Sequence, residues 1–312
     1  MPEGRAAVDH EALEREYDVA DARIGIIGGS GLGQVLAEQV GGKQVQVETP
    51  FGNPSGPILL TRWAGSDIAF LSRHGPGHLL NPSNVPYRAN IYALKSLGVT
   101  HIVASGATGS LREDIEPRHL VICDQVIDRT FRRESTFFDR GIVAHVEFAE
   151  PFCPRLRALL RSVGEKIGAR VHSAGTYVCM EGPQFSTVAE SRMYQQCGGD
   201  LIGMTAMPEA KLAREAEICY ALIALPTDYD CWRPHEAGKD REALLREIIG
   251  NLNAVTTNAI ELLRAAMPAL AGQIDAPCAC REALAMAIWS DRSRIASADV
   301  ERLSLLVGRY FT

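Results

Sequence analysis

Two acids stand two residues apart in Thr227-Asp228-Tyr229-Asp230-Cys231-Trp232, directly after the apolar run 218–226. The run has the length and composition of a buried strand, so the acids lie at its mouth. Period-two alternation sends Asp228 and Asp230 to the same side and brings like charges together. Folding gains nothing from that arrangement, whereas chemistry can use it. A carboxyl in a partly desolvated pocket has its pKa raised and becomes a proton donor. A pair of solvated loop acids is the competing reading, and spacing alone does not separate the two.

Five further loops carry groups suited to an anion or a flat ligand. Gly28-Gly29-Ser30-Gly31-Leu32-Gly33 follows a strand-like run and would offer backbone N–H groups plus the Ser30 hydroxyl. Gln34 stands where a P-loop needs Lys, and also where the dinucleotide fingerprint needs its third glycine, so both motifs fail. A purely structural turn stays open. Arg73-His74-Gly75 reads as a charged pair able to clamp an anion. Gly75, Pro76 and Gly77 prevent the helix that a metal pair of His74 and His78 would need. Ala104-Ser105-Gly106-Ala107-Thr108-Gly109-Ser110-Leu111 has the small residues of a phosphate nest. Glu181-Gly182-Pro183-Gln184-Phe185-Ser186 adds an aromatic face and a hydroxyl, and Gly203-Met204-Thr205-Ala206-Met207-Pro208-Glu209 a thioether and another hydroxyl. In open α/β sheets ligands gather at the carboxyl ends of strands, so these loops describe one pocket.

A scaffold must hold those loops together. Strand-like runs cover 23–27, 58–60, 68–71, 101–104, 120–127, 176–180, 201–203 and 217–225; helix-like stretches cover 87–97, 154–167, 187–197, 208–216 and 241–267. Their alternation predicts an α/β fold, a mixed or parallel sheet flanked by helices, over 23–270. Residues 1–22 read as a polar arm. An Ala, Gly and Pro-rich break at 267–277 precedes two amphipathic patterns, 281–289 and 298–310. Leu303, Leu305, Leu306 and Tyr310 must pack on the domain or on another subunit, which predicts a helical C-terminal extension over 271–312.

Composition narrows the classes. A net charge of −6 argues against a nucleic-acid-coating surface, although the basic spot 129–133 could still hold a small anion. With no apolar leader and no run approaching about 18 apolar residues, neither secretion nor a membrane span is expected, and a cytoplasmic protein is. The eight cysteines form no Cys-x-x-Cys pair and read as buried free thiols. Cys278-Ala279-Cys280 has a poor zinc spacing; two plain thiols are favoured there over a strained disulfide or a redox pair.

The chain also resembles a known family. The runs that carry the likeness are Gly28-Gly29-Ser30-Gly31-Leu32, Thr49-Pro50-Phe51-Gly52, Arg73-His74-Gly75, Asn81-Pro82-Ser83 and Tyr87-Arg88-Ala89-Asn90. Further along come Gly109-Ser110-Leu111-Arg112, Asp124-Gln125-Val126-Ile127-Asp128-Arg129-Thr130, Ala149-Glu150-Pro151-Phe152-Cys153-Pro154, Glu181-Gly182-Pro183-Gln184-Phe185-Ser186 and the Asp228 loop. In order and with few gaps from about Ile24 to Leu270, they are similar to the 5'-methylthioadenosine phosphorylases of the nucleoside phosphorylase superfamily. The resemblance implies a distorted mixed sheet flanked by helices and a homotrimer. It implies phosphorolysis of 5'-methylthioadenosine to adenine and 5-methylthioribose 1-phosphate, with phosphate as co-substrate and neither metal nor organic cofactor. Phosphate contacts would be Ser30, Arg73, His74, Gly106, Ala107 and Thr205. Met204 and Phe185 would meet the nucleoside, Asp228 and Asp230 the base, and Ser186 and Arg241 would tune substrate choice. Aspartate suits the N6/N7 edge of adenine, since a protonated carboxyl donates to N7 and accepts from N6.

This sequence departs from the family pattern in places. Gly106 replaces a threonine and so loses a phosphate hydroxyl. Gly203 replaces an asparagine, which is expected to enlarge the base pocket. Arg241 replaces a small apolar residue and would make the 5' end more polar. A phosphorylase preferring methylthioinosine, adenosine or a 6-oxopurine nucleoside therefore stays open, as does a non-catalytic nucleoside-binding protein; a dehydrogenase is disfavoured by the failed glycine count.

Overall fold

The computed structural model describes residues 23–29, 32, 41–233 and 240–311. The expected arm over 1–22, Ser30 and Gly31 lie outside them. Among the described residues one eleven-stranded mixed sheet forms the body: β1 (Ile24–Gly28), β2 (Lys43–Val45), β3 (Ile58–Trp63), β4 (Ser66–Ser72), β5 (His101–Ser110), β6 (Leu120–Ile122), β7 (Gln125–Arg129), β8 (Val171–His172), β9 (Thr176–Met180), β10 (Leu201–Gly203) and β11 (Cys219–Asp228). Its path runs β2-β3-β4-β1-β5-β10-β9-β7, with β11 paired to β5 and β6, and β6 paired to β8.

The distortion centres on β5. Its first half pairs in parallel with β1, while Gly109 and Ser110 at its far end pair antiparallel with β10. Along its other edge β11 runs parallel from Cys219 to Asp228. Gly106 and Gly109 lie in the stretch where the strand changes partners, as glycines in strands often do at bends.

Helices α1 (Tyr87–Ser96), α2 (Pro154–Lys166), α3 (Val188–Gln196), α4 (Glu209–Glu215) and α5 (Arg241–Ala271) flank the sheet. Alternate strand residues feed two cores. Ile27, Leu71, Ala104 and Leu222 point into one, and Ile26, Phe70, Val103 and Ile223 into the other, where α2 and α5 pack. Burial on both sides explains why β11 reads as a continuous apolar run.

Three expectations are corrected. The run 120–127 is two strands, because the chain turns at Cys123-Asp124 and Asp124 Oδ1 accepts from the Gly175 N–H at 2.7 Å. Helix α5 does not stop near 267 but passes through Pro268 to Ala271, since Leu270 buries in the same core as Leu263. The pattern 281–289 is not a helix: a 3₁₀ turn, Ala279–Glu282, leads into turns and a bridge from Ile288 to Ala144. Farther on, α6 (Ser297–Arg302) and α7 (Ser304–Val307) are helical, and Leu284, Leu303, Leu306 and Val307 join the main core.

Candidate active site

The two acids meet through a bulge and a turn, not through strand alternation. Between Pro226 and Asp228 the β11–β5 register shifts, which sets Asp228 opposite Gly109. Bulges of this kind re-aim side chains beside functional sites. Asn251 of α5 holds the bulge by donating to the Thr227 carbonyl at 2.8 Å, while its own Oδ1 accepts from Arg118 Nε at 2.8 Å. The strand ends at Asp228, and Asp230 turns back at φ 50°. Its N–H then donates to Asp228 Oδ1 at 2.7 Å. Alternation would have left that contact unmade, so the expected mechanism of approach was wrong although the approach itself occurs.

Small residues permit it. A Cβ at Gly109 would lie 2.9 Å from Asp230 Cβ and 3.3 Å from Asp228 Oδ1. Ser186 Oγ stands 2.9 and 2.8 Å from the two oxygens of Asp230, so the 181–186 loop is joined to the acids. Thr227 Oγ1 lies 2.6 Å from Asp228 Oδ2 and 3.3 Å from the Thr108 carbonyl. A hydroxyl has one proton, so it donates to one of these while its lone pairs can accept from a protonated carboxyl. Trp232 Nε1 donates to the Ser110 carbonyl at 2.8 Å and fastens the turn onto β5.

The arginine end is built differently. Arg73 has no exposed surface. Its Nε and Nη2 donate to the two oxygens of Glu209 at 2.7 and 2.8 Å, and Nη1 donates to the Ser105 carbonyl at 2.7 Å. Burial works against its charge, but the Glu209 carboxylate outweighs this and holds the guanidinium above its ordinary pKa. Tyr220 donates to Glu209 Oε1 at 2.7 Å. Gly29 lies on the guanidinium, and a Cβ there would sit 2.8 Å from Nη1.

The expected charged clamp of Arg73 and His74 is therefore half right. Burial, then the charge of Arg73, lowers the His74 pKa to about 4, so its imidazole is neutral near pH 7. Nδ1 donates to the Leu80 carbonyl at 2.8 Å, which fixes the tautomer and leaves Nε2 as an acceptor. Gly106 and Thr205 come together, with the Thr205 hydroxyl 3.3 Å from where a Gly106 Cβ would stand. Ala107, paired with Leu225, is partly open.

Between the two ends, Met204 packs on Leu111, Val178, Met180, Tyr194 and Ile202. Its sulfur lies where a Cβ at Gly182 would approach to 2.6 Å, so that loop must carry glycine. Arg133 ties the loops together, donating to the Met204 carbonyl and the Glu181 carbonyl, each at 2.7 Å. This corrects the reading of 129–133 as an anion spot, at least for Arg133, whose side chain is buried against those carbonyls. Gly203 does not enlarge the pocket: Tyr177 fills the space, its hydroxyl only 2.0 Å from a would-be Cβ. Phe185 stays 84% exposed, unlike Met204, and Arg241 is exposed at the first residue of α5.

Glu209, Tyr177 and Asn251 were not singled out from the sequence, and Arg133 only as part of the basic spot 129–133. A glutamate closing a hydroxyl-rich loop was the one visible hint, at Glu209. The others act across long sequence separations that no local pattern marks.

Comparison with known proteins accords with this architecture. The Phosphorylase superfamily matches residues 23–267. The chain belongs to that superfamily. Among its relatives is the S-methyl-5'-thioadenosine phosphorylase of Gloeobacter violaceus, 48% identical over 93% of this chain and 96% of the relative. A methylthioadenosine phosphorylase crystal structure from an Antarctic soil metagenomic library superposes with a TM-score of 0.83, 46% identity, and coverage of 92% of this chain and 99% of that one. The Schistosoma mansoni methylthioadenosine phosphorylase in complex with adenine gives a TM-score of 0.75 at 33% identity, covering 92% and 98%. The superfamily's mixed sheet and flanking helices are thus those described above. No helix among the described residues is long and apolar enough to cross a membrane.

Proposed function

We propose that the protein catalyses phosphorolysis of 5'-methylthioadenosine, releasing adenine and 5-methylthioribose 1-phosphate. The observation that carries this is the Asp228–Asp230 pair held on a bulge against Gly109, in a chain 48% identical to a relative bearing that activity in its name. As the N-glycosidic bond breaks, the ribose gains oxocarbenium character, and the departing base takes a proton on N7. Asp228 donates that proton, with Thr227 Oγ1 placed to hold it beforehand, and Asp230 supports Asp228 through its N–H. Phosphate forms the new bond to the anomeric carbon and balances the sugar's charge.

Ser30, Arg73, His74, Gly106, Ala107 and Thr205 are proposed to hold the phosphate, and Met204 to lie under the sugar. Because Glu209 claims much of Arg73, the arginine contributes charge from a fixed position. Phe185, Ser186 and Arg241 border the nucleoside in this reading. The reaction uses no metal or organic cofactor. A cytoplasmic homotrimer fits the eight free cysteines and the exposed Leu79, Phe131 and Phe185, which a neighbouring subunit would cover.

Purified protein given methylthioadenosine, methylthioinosine, adenosine or inosine, with and without phosphate, tests the proposal. Phosphate-dependent adenine release fastest from methylthioadenosine is expected. Release that ignores phosphate would point to a hydrolase, and no release from any substrate to a binding protein.

A further inference from the structure

At the opposite end of β11, four thiols from three separate segments converge. Cys219 opens the strand, Cys153 stands at the N-cap position of α2, and after α5 Cys278 immediately precedes the 3₁₀ turn that holds Cys280. Their sulfur atoms all lie within 4.8 Å of one another. The strand places this cluster roughly 30 Å from Asp228, at about 3.3 Å per residue over its ten residues.

Hydrophobic packing accounts for buried cysteines singly, but it gives no reason for four sulfurs to face one another. Nor is the spacing that of disulfides. Cys153 Sγ and Cys278 Sγ are 3.6 Å apart, against about 2.05 Å for a bond between sulfurs. A tetrahedral zinc at about 2.3 Å from each sulfur holds its ligands roughly 3.8 Å apart, close to the 3.6 Å between Cys153 and Cys278 and inside the 4.8 Å that bounds all four sulfurs. We propose that Cys153, Cys219, Cys278 and Cys280 bind a single zinc ion that clamps the C-terminal extension to the sheet.

The surroundings suit the charge of such a centre. Four thiolates on one zinc carry two net negative charges. Arg155 lines the same cleft as Cys153, Cys219 and Cys278, Arg281 follows Cys280 in the chain, and the N-terminus of α2 favours an anion at Cys153. That cleft, walled by His101, Leu159 and Gln273, gives an ion its way in. Cys278-Ala279-Cys280 is a poor zinc spacing as a pair by itself; here the other two ligands, Cys153 and Cys219, stand far away in sequence. A structural ion here leaves the proposed chemistry untouched.

Metal analysis of the full-length protein, purified with reductant and without chelator, tests this. About one zinc per chain is expected. Exchange for cobalt should give thiolate-to-cobalt charge-transfer bands and the visible bands of a tetrahedral site. Cys278→Ser and Cys280→Ser should lose the ion and the bands, while phosphorolysis per folded chain stays within about twofold. If a variant fails to fold, the cobalt spectrum of the unaltered protein still decides. Two disulfides found by mass spectrometry, four free thiols without metal, or zinc retained by the double variant would each overturn the proposal.

Discussion

Glu209 and Asp228 are both acids placed by strand ends, yet their surroundings are opposed. Glu209 is buried, and its oxygens accept from Arg73 and Tyr220. Asp228 is half-open; its Oδ1 accepts from the Asp230 N–H, and the Thr227 hydroxyl lies 2.6 Å from its Oδ2. The first acid has a cation to itself and acts as scaffold. The second is joined by hydrogen bonds to its neighbours on the turn and stays partly exposed, where a substrate can reach it. Sealing a charge builds structure, and leaving one open builds chemistry.

The largest effect should come from breaking the sealed end. Glu209→Ala strands Arg73 without its partner and should cost about 3–5 kcal/mol of stability by denaturant unfolding. An Arg73→Met/Glu209→Leu double variant should recover much of that loss but not the affinity for phosphate. Recovery of both would mean that the pair is only structural.

Glu215, on the same helix as Glu209, shows what a buried acid does when its hydrogen bonds come from neutral donors and the charges of Lys211 and Arg88 act only weakly. Thr136 and the Phe137 N–H donate to it at 2.7 Å each, yet burial pushes its pKa up to about 7. A carboxyl raised in the folded state contributes stability that is complete below its ordinary value of 4.5 and is lost as pH rises through about 7. About 3 kcal/mol should disappear across that window, and Glu215→Gln should flatten it in unfolding experiments at several pH values.

Smaller changes probe the open end. Gly109→Ala pushes on the Asp230 Cβ and the Asp228 carboxyl and should cost about 1–3 kcal/mol, read as slowed turnover more than as a raised KM for phosphate. Ser186→Ala removes one hydroxyl from Asp230 and should cost about 1 kcal/mol in kcat/KM. If Ser186→Ala proved as damaging as Gly109→Ala, Asp230 rather than Asp228 would carry the chemistry.

Much of this was readable from residue order. Strand-exit loops, the flanking helices and the nearness of Asp228 to Asp230 all follow from local patterns of apolar runs, glycines and hydroxyls. What local pattern could not supply was long-range partnering. Arg73 meets Glu209 across 136 residues, and Cys153 meets Cys278 across 125. Tyr177 fills the space beside Gly203 because β9 and β10 are neighbours, a fact of sheet order. The bulge at Thr227 was hidden as well, since it depends on Asn251 reaching back from α5. His74 looked like a charge in sequence and is neutral in place, because burial is a property of the fold.

The central claim is that Asp228 gives the departing purine its proton. Single-turnover phosphorolysis of methylthioadenosine by Asp228→Asn, with folding checked by its thermal midpoint, tests that most directly. A loss of roughly 10²-fold or more with the midpoint nearly unchanged is predicted; a rate equal to that of the unaltered protein would contradict it.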